Sequence, residues 1–160
     1  MAKLILLCGK ICSGKTFYAN IIKKKENAFI FSCDEITLQL FNNKLGGAHD
    51  NITEKIKKYI YKKSEELIAL NVNVILDFGF WTKEERTKIT NILAVKNICY
   101  EWHYIFVSDD IWIKRIKKRN KLIEKGLSSD FYVDDRLLNK INSLFEYPIN
   151  EEMKVYYNND

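Results

Sequence analysis

Short apolar runs alternate with longer segments in which apolar residues recur every three or four positions. Leu4-Ile5-Leu6-Leu7-Cys8 opens the chain as a buried strand over Lys3–Cys8. A helical pattern follows over Lys15–Lys25, then a short strand at Ala28-Phe29-Ile30-Phe31. Ser32-Cys33-Asp34-Glu35 has the S-x-x-E form of a helix-opening capping box. The stretch 42–50, with Gly46-Gly47, reads as a loop, and Ile52–Leu70 as a long helix with Ile52, Ile56, Ile60, Leu67 and Ile68 toward one face. Val72–Leu76 is a third strand ending at Asp77, and Thr82-Lys83-Glu84-Glu85 is a second capping box for a helix to about Leu93. Tyr100–Val107 is a fourth strand, rich in aromatic and β-branched residues. Ser108 is placed to cap a helix running to Arg119 or beyond. A loop at Gly126–Asp130, a helix over Val133–Phe145 stopped before Pro148, and a short edge strand at Met153–Tyr157 complete the pattern. Strands alternating with helices predict an α/β fold with a mostly parallel, five-stranded sheet. No repeat or linker divides the chain, so one domain over 1–160 is expected.

The turn after the first strand carries the chemistry. Gly9-Lys10-Ile11-Cys12-Ser13-Gly14-Lys15-Thr16 satisfies G-x-x-x-x-G-K-[ST], between a strand and a helix as a phosphate-binding loop requires. Its glycines let backbone N–H groups turn toward phosphate oxygens, and the helix start adds a positive dipole end. Lys15 is then expected at the β- and γ-phosphates of ATP, and Thr16 at Mg²⁺. Asp34 and Asp77 follow the second and third strands, whose carboxyl ends open on the same crevice of an open α/β sheet. Asp34 suits orientation or deprotonation of an acceptor hydroxyl, and Asp77 suits Mg²⁺. A plainer reading of Asp34, as partner of the helix dipole, is weakened because Glu35 already fills the capping role. Phe80 and Trp81 are expected at the rim, lining an acceptor pocket, with Trp81 equally able to staple the next helix. Arg115 and Arg119 share a helical face ahead of a glycine-bearing loop, where an arginine can close over a triphosphate; Arg119 is favoured. Arg86 and Arg136 suit surface salt bridges, and His103 a core or sheet-face position.

Composition narrows the classes. Hydrophobic residues make up 47% of the chain, enough for a core without staples. The opening apolar run is too short for a secretory leader, and no stretch approaches a membrane span. The four cysteines form no C-x-x-C pair; Cys8 and Cys33 at strand ends and Cys99 at a strand start read as small buried hydrophobes, and a reduced, cytoplasmic protein is expected. Two histidines are too few for a histidine-rich metal site. The net charge of +5 comes largely from lysines in 55–63 and 114–125, read as solvated helix faces with glutamates beside them, so nucleic acid is not favoured as a partner. Phe78 stands where ATP-hydrolysing machines carry a water-activating Glu, and no N-K-x-D motif is present. Both absences point away from a motor or GTPase switch and toward a kinase with an organic acceptor.

The segments LILLCGKICSGKT (4–16), SCDEI (32–36), VILDFGFWTKEER (74–86), HYIFVSDDIWIKRIKKRN (103–120) and FEYPINEE (145–152) resemble the AAA-type P-loop kinases, relatives of polynucleotide kinase, chloramphenicol phosphotransferase and zeta toxin. The resemblance implies a P-loop NTPase three-layer sandwich, nucleoside-kinase-like with a small lid and strand three beside strand one. It implies ATP and Mg²⁺ at Lys15 and Thr16, Asp34 and Asp77 at acceptor and metal, Arg119 in the lid, and the Phe145–Pro148 turn near the base. Kinases of this group often read G-x-P-G-S-G-K-S-T; here Ile11 and Cys12 replace Pro-Gly, and Phe17 replaces the second hydroxyl residue. The expectation is an ATP- and Mg²⁺-dependent kinase of a small-molecule hydroxyl, compatible with a monomer. Two alternatives stay open: a polynucleotide 5′-hydroxyl kinase, motivated by the basic charge, and an ATP-binding regulatory or toxin-type protein with little turnover, motivated by the atypical loop.

Overall fold

Successive side chains along the strands point to opposite faces of the sheet, and this builds three layers. In the computed structural model, which describes residues 1–42 and 46–159, β1 (Leu4–Cys8) is buried throughout. Leu4, Leu6 and Cys8 face one side with Val74, Leu76 and Trp102, against Ile60, Ile89 and Leu93. Ile5 and Leu7 face the other side with Ile75 and Ile105, against Ala19 and Ile22. The first layer is therefore α3 (His49–Ala69) and α4 (Lys83–Val95), and the second is α1 (Lys15–Glu26). Between them lie β1, β2 (Ala28–Ser32), β3 (Asn73–Gly79), β4 (Tyr100–Phe106) and β5 (Lys154–Tyr157). All pairings are parallel, in the order β2-β3-β1-β4-β5. Strand three thus lies beside strand one, and β5 is an edge strand, both as expected. The helices α2 (Cys33–Phe41), α5 (Asp109–Glu124) and α6 (Asp135–Leu144) follow β2, β4 and the 125–134 connection. A third cluster of Val107, Trp112, Ile116, Val133 and Ile141 joins α5 and α6 beside the glycine loop.

Both capping predictions hold in their first half: Ser32 Oγ accepts from Glu35 N–H at 3.3 Å, and Thr82 Oγ1 from Glu85 N–H at 3.1 Å. Ser108 differs. Its side chain caps nothing, and its backbone N–H donates to Asn159 Oδ1 at 3.3 Å. Helix α6 starts later than expected because Asp134, not a residue before Val133, accepts from Leu137 N–H at 2.7 Å. Helix α3 begins at His49, inside the expected loop; residues 43–45 of that loop lie outside the described residues. Strand β3 runs two residues past Asp77, because Asp77 pairs with Ser32 and Gly79 with Cys8. The register shifts between Leu6 and Cys8, so β3 carries one extra residue there.

Two expectations are corrected. Arg86 is not a surface residue: its side chain is 1% exposed. It forms a two-pronged pair with Glu151 at 2.7 and 2.8 Å and donates to the carbonyls of Phe80 and Trp81 at 3.0 and 3.2 Å. This guanidinium ties α4 to the β3 exit and to the segment before β5. Cys99 is exposed rather than buried, while Cys8 and Cys33 are buried and all four thiols are free. Among the described residues no helix is long and apolar enough to cross a membrane.

Near the start of β4, Glu101 joins three neighbouring strands. Its carboxylate meets Lys3 at 2.9 Å, Lys154 at 2.7 Å and His103 at 3.2 Å. Burial alone would raise its pKa, but the hydrogen bonds from Lys154, Lys3 and His103 outweigh this and lower it from 4.5 to about 2. A folded pKa below the unfolded one means stability present above pH 4.5 and lost as pH falls toward 2. Glu101→Gln should flatten the acid-side stability slope in that window, followed by urea unfolding at a series of pH values; an unaltered slope would refute the linkage. Separately, Glu151→Ala strands the Arg86 charge inside the protein and should cost about 3 kcal/mol in denaturant unfolding at neutral pH. A loss below about 1 kcal/mol, the range of exposed pairs, would contradict this account of Arg86.

Candidate active site

The loop between β1 and α1 is shaped by residues that adopt or tolerate unusual backbone geometry. A Cβ on Gly9 would lie 2.8 Å from Ser13 Oγ and 2.9 Å from the Ile105 carbonyl, so only glycine fits. Cys12 has φ 60°, a left-handed conformation at the position where the related kinase pattern has glycine. Such strain costs on the order of 1–3 kcal/mol and persists only where surroundings enforce it. Here the enforcement comes from outside the loop. Trp112 Nε1 donates to the Ile11 carbonyl at 2.6 Å. Arg115 and Asn158 both donate to the Ser13 carbonyl, at 3.2 and 2.9 Å. Arg119 donates to Cys12 Sγ at 3.2 Å. Inside the loop, the Lys10 carbonyl accepts from Lys15 Nζ at 2.7 Å and from Ser13 N–H at 3.2 Å. Helix α1 begins at Lys15, after the N-cap residue Gly14, with no side-chain cap and no acidic residue in its first turn. An uncapped helix N-terminus beside a lysine is a seat for phosphate.

The loop forms one wall of a cavity of about 740 Å³, whose lining includes Lys15, Thr16, Asp34, Asp77, Arg119 and Phe131. Thr16 Oγ1 donates to Asp77 Oδ2 at 2.6 Å, and Asp77 is buried. A hydroxyl and a carboxylate meeting beside a phosphate seat are the hard oxygen donors that suit Mg²⁺, which is commonly held by one or two carboxylates plus substrate phosphates. Asp34 stands in the first turn of α2, open to the cavity. Desolvation by the cavity walls raises its pKa above the ordinary carboxylate value; the charge of Asp77 adds to this, and Lys15, Arg119 and His49 oppose it. Its exposure to solvent in the cavity limits the displacement. Arg119 also pairs with Asp130 of the 125–134 connection at 3.5 Å, and its Nε is buried without a partner among the described residues.

The structure therefore brings together Gly9, Gly14, Lys15, Thr16, Asp34, Asp77 and Arg119 at or around one cavity. It places four expected site residues elsewhere. Phe80 is 1% exposed and packs edge-on against Trp102 at 4.9 Å, inside the core. Gly79 (φ 96°) and Phe80 (φ 47°) are both left-handed, and the Phe80 ring joins the core cluster of Leu76, Ile89 and Trp102. Trp81 is partly buried between two core clusters, and its carbonyl accepts from Glu146 N–H at 2.8 Å. Arg115 braces the loop from behind instead of lining the cavity, bonding also to Asn158 O and Oδ1 at 3.1 and 3.2 Å. The Lys10 side chain points away from the cavity, toward Asp109 and Trp112. His103 lies on the sheet as expected, with Tyr18 Oη 2.9 Å from its Nδ1. The aromatic rings that do line the cavity are Phe17, Phe29 and Phe131. Phe29 is 48% exposed on edge strand β2, and an aromatic ring on an edge strand or in a polar loop was the available signal.

The fold recurs in solved kinases. A candidate kinase from Chloroflexus aurantiacus superposes with a TM-score of 0.72 at 14% identity, covering 98% of this chain and 85% of the other. The APS kinase CysC of Mycobacterium tuberculosis, solved with AMPPNP and APS, matches with a TM-score of 0.64 at 15% identity over 98% and 88%. A gluconokinase from Sinorhizobium meliloti matches at 0.59 and 14% identity over 97% and 82%. No curated protein sequence matches the chain. A family model described as an AAA domain matches residues 4–148. With its glycine loop, parallel sheet order and nearly full-length match, the chain belongs to this AAA-domain family and has the fold of the P-loop kinases.

Proposed function

We propose that this protein is an ATP-dependent kinase that transfers the γ-phosphoryl group to a hydroxyl of a small molecule. The observation that carries this is the opening of Lys15, Arg119, Asp34 and the Thr16–Asp77 pair onto a single cavity. Phosphoryl transfer needs placement and charge neutralisation more than covalent chemistry, and these groups supply both. Lys15, resting on the Lys10 carbonyl, moves to the β- and γ-phosphates. Arg119 offers its guanidinium, including the unpartnered Nε–H, to charge spread over the migrating group. Asp34 accepts a hydrogen bond from the acceptor hydroxyl and takes its proton as the new O–P bond forms and the bond to the β-phosphate oxygen breaks, releasing ADP. Thr16 and Asp77 would hold Mg²⁺, which neutralises phosphate charge when bound.

Phe78 separates this reading from ATP hydrolysis. Its ring packs against Tyr61 and Phe80 on the face of β3 opposite Asp77. No carboxylate stands at that position to activate water. The gluconokinase and the APS kinase that share the fold support a small-molecule acceptor.

Lys15→Ala should lower transfer from labelled ATP to a panel of hydroxyl metabolites by at least about a hundredfold, with thermal unfolding little changed. Equal turnover by wild type and variant would remove the assignment. Asp34→Asn should lower kcat by about 10²-fold or more. Because the Asp34 pKa is raised, wild-type kcat/KM should climb with pH through a value above the ordinary carboxylate range, as the base loses its proton. That acid limb should vanish in the Asn variant. Its persistence would assign it to another group.

A further inference from the structure

Lys10 belongs to the glycine loop, yet its ammonium is enclosed on the far side from the cavity. It stands 4.3 Å from the ring centroid of Trp112, 5.2 Å from Tyr147 and 5.8 Å from Phe145. Its ion-pair partner is Asp109 Oδ1 at 3.1 Å, and the Lys10 side chain is 9% exposed against 73% for Asp109. Burying an ammonium is unfavourable, and an apolar side chain of similar length would fill the same box without that desolvation. The charge therefore calls for a reason other than packing. The backbone of the same residue supplies one: its carbonyl accepts from Lys15 Nζ and from Ser13 N–H. Trp112 reinforces the link, since its ring faces the Lys10 ammonium while its N–H holds the next carbonyl, that of Ile11.

We propose that Lys10 is a positioning residue for Lys15. The aromatic faces and Asp109 draw the Lys10 ammonium outward, which fixes the peptide plane whose carbonyl parks Lys15 at the cavity. Ordinary lysine stems are mobile; this one is immobilised by cation–π contact with three rings and one carboxylate. The inference rests on the reading of Lys15 as the group that meets the β- and γ-phosphates, and extends it to a residue that never touches them.

The test is binding of AMPPNP and of AMP by calorimetry to wild type, Lys10→Met and Lys10→Arg. Lys10→Met should bind AMPPNP about tenfold more weakly while AMP affinity changes less than twofold, because only the outer phosphates reach Lys15. Lys10→Arg, which keeps the charge and stacks on aromatic rings, should recover AMPPNP affinity to within about threefold. If Lys10→Met fails to fold, Asp109→Asn at an exposed position should weaken AMPPNP binding about threefold in the same selective way. AMPPNP affinity equal to wild type in the folded variant, or equal losses for AMPPNP and AMP, would overturn the proposal. A wild-type protein that binds AMPPNP but phosphorylates no acceptor would overturn the kinase reading instead, with the role of Lys10 still decided by the binding split.

Discussion

Everything at the site depends on how the glycine loop disposes of its carbonyls. A phosphate-binding loop must aim N–H groups inward, so its carbonyls need partners on the outside. Here α5 and the chain after β5 provide them: Trp112 for Ile11, and Arg115 with Asn158 for Ser13. Arg115 is itself fastened to Asn158 by two further bonds, so the brace behind the loop is a small connected network. Networks of this kind are worth most when every member is satisfied. The left-handed Cys12 becomes intelligible in this setting. Its neighbours on both sides are pinned, and Arg119 meets its sulfur, so the loop keeps its shape without a glycine there.

The sheet does the rest of the positioning. Parallel pairing of β1, β2 and β3 brings the loop, Asp34 and Asp77 to one edge. The period-two alternation of β3 sends Asp77 toward Thr16 and Phe78 toward Tyr61. One strand therefore separates a polar residue for the cavity from an apolar one for the core. Arg119 connects the loop to the 125–134 connection through Cys12 and Asp130, while Phe131 of that connection stacks edge-on with His49 at 6.1 Å. The mouth of the cavity is thereby bordered by groups from the loop, α3 and the segment after α5.

Much of this was legible in the residues. The apolar run ahead of Gly9, the capping boxes at Ser32 and Thr82, and the strand-end carboxylates depend on local pattern, and local pattern predicts them correctly. The misplaced residues fail for a shared reason: their environment is set by distant partners. Arg86 is buried because Glu151, 65 residues away, meets it. Phe80 leaves the rim because its ring packs against Trp102 of β4, and a phenylalanine at φ 47° is not a conformation that sequence pattern suggests. Arg115 turns to the back of the loop because Asn158 waits there, 43 positions on. Phe29 belongs to a strand and Phe131 lies just beyond the expected Gly126–Asp130 loop, and only the closing of the cavity between β2 and the segment after α5 gives them a shared role.

The central distinction is phosphoryl transfer to an organic hydroxyl against hydrolysis. Phosphorus NMR of the protein with ATP, Mg²⁺ and a mixture of hydroxyl metabolites reads it directly. The account predicts ADP formation that requires the acceptor mixture, together with a new phosphate-ester resonance. Release of inorganic phosphate at the same rate with and without acceptors, and no ester, would contradict it.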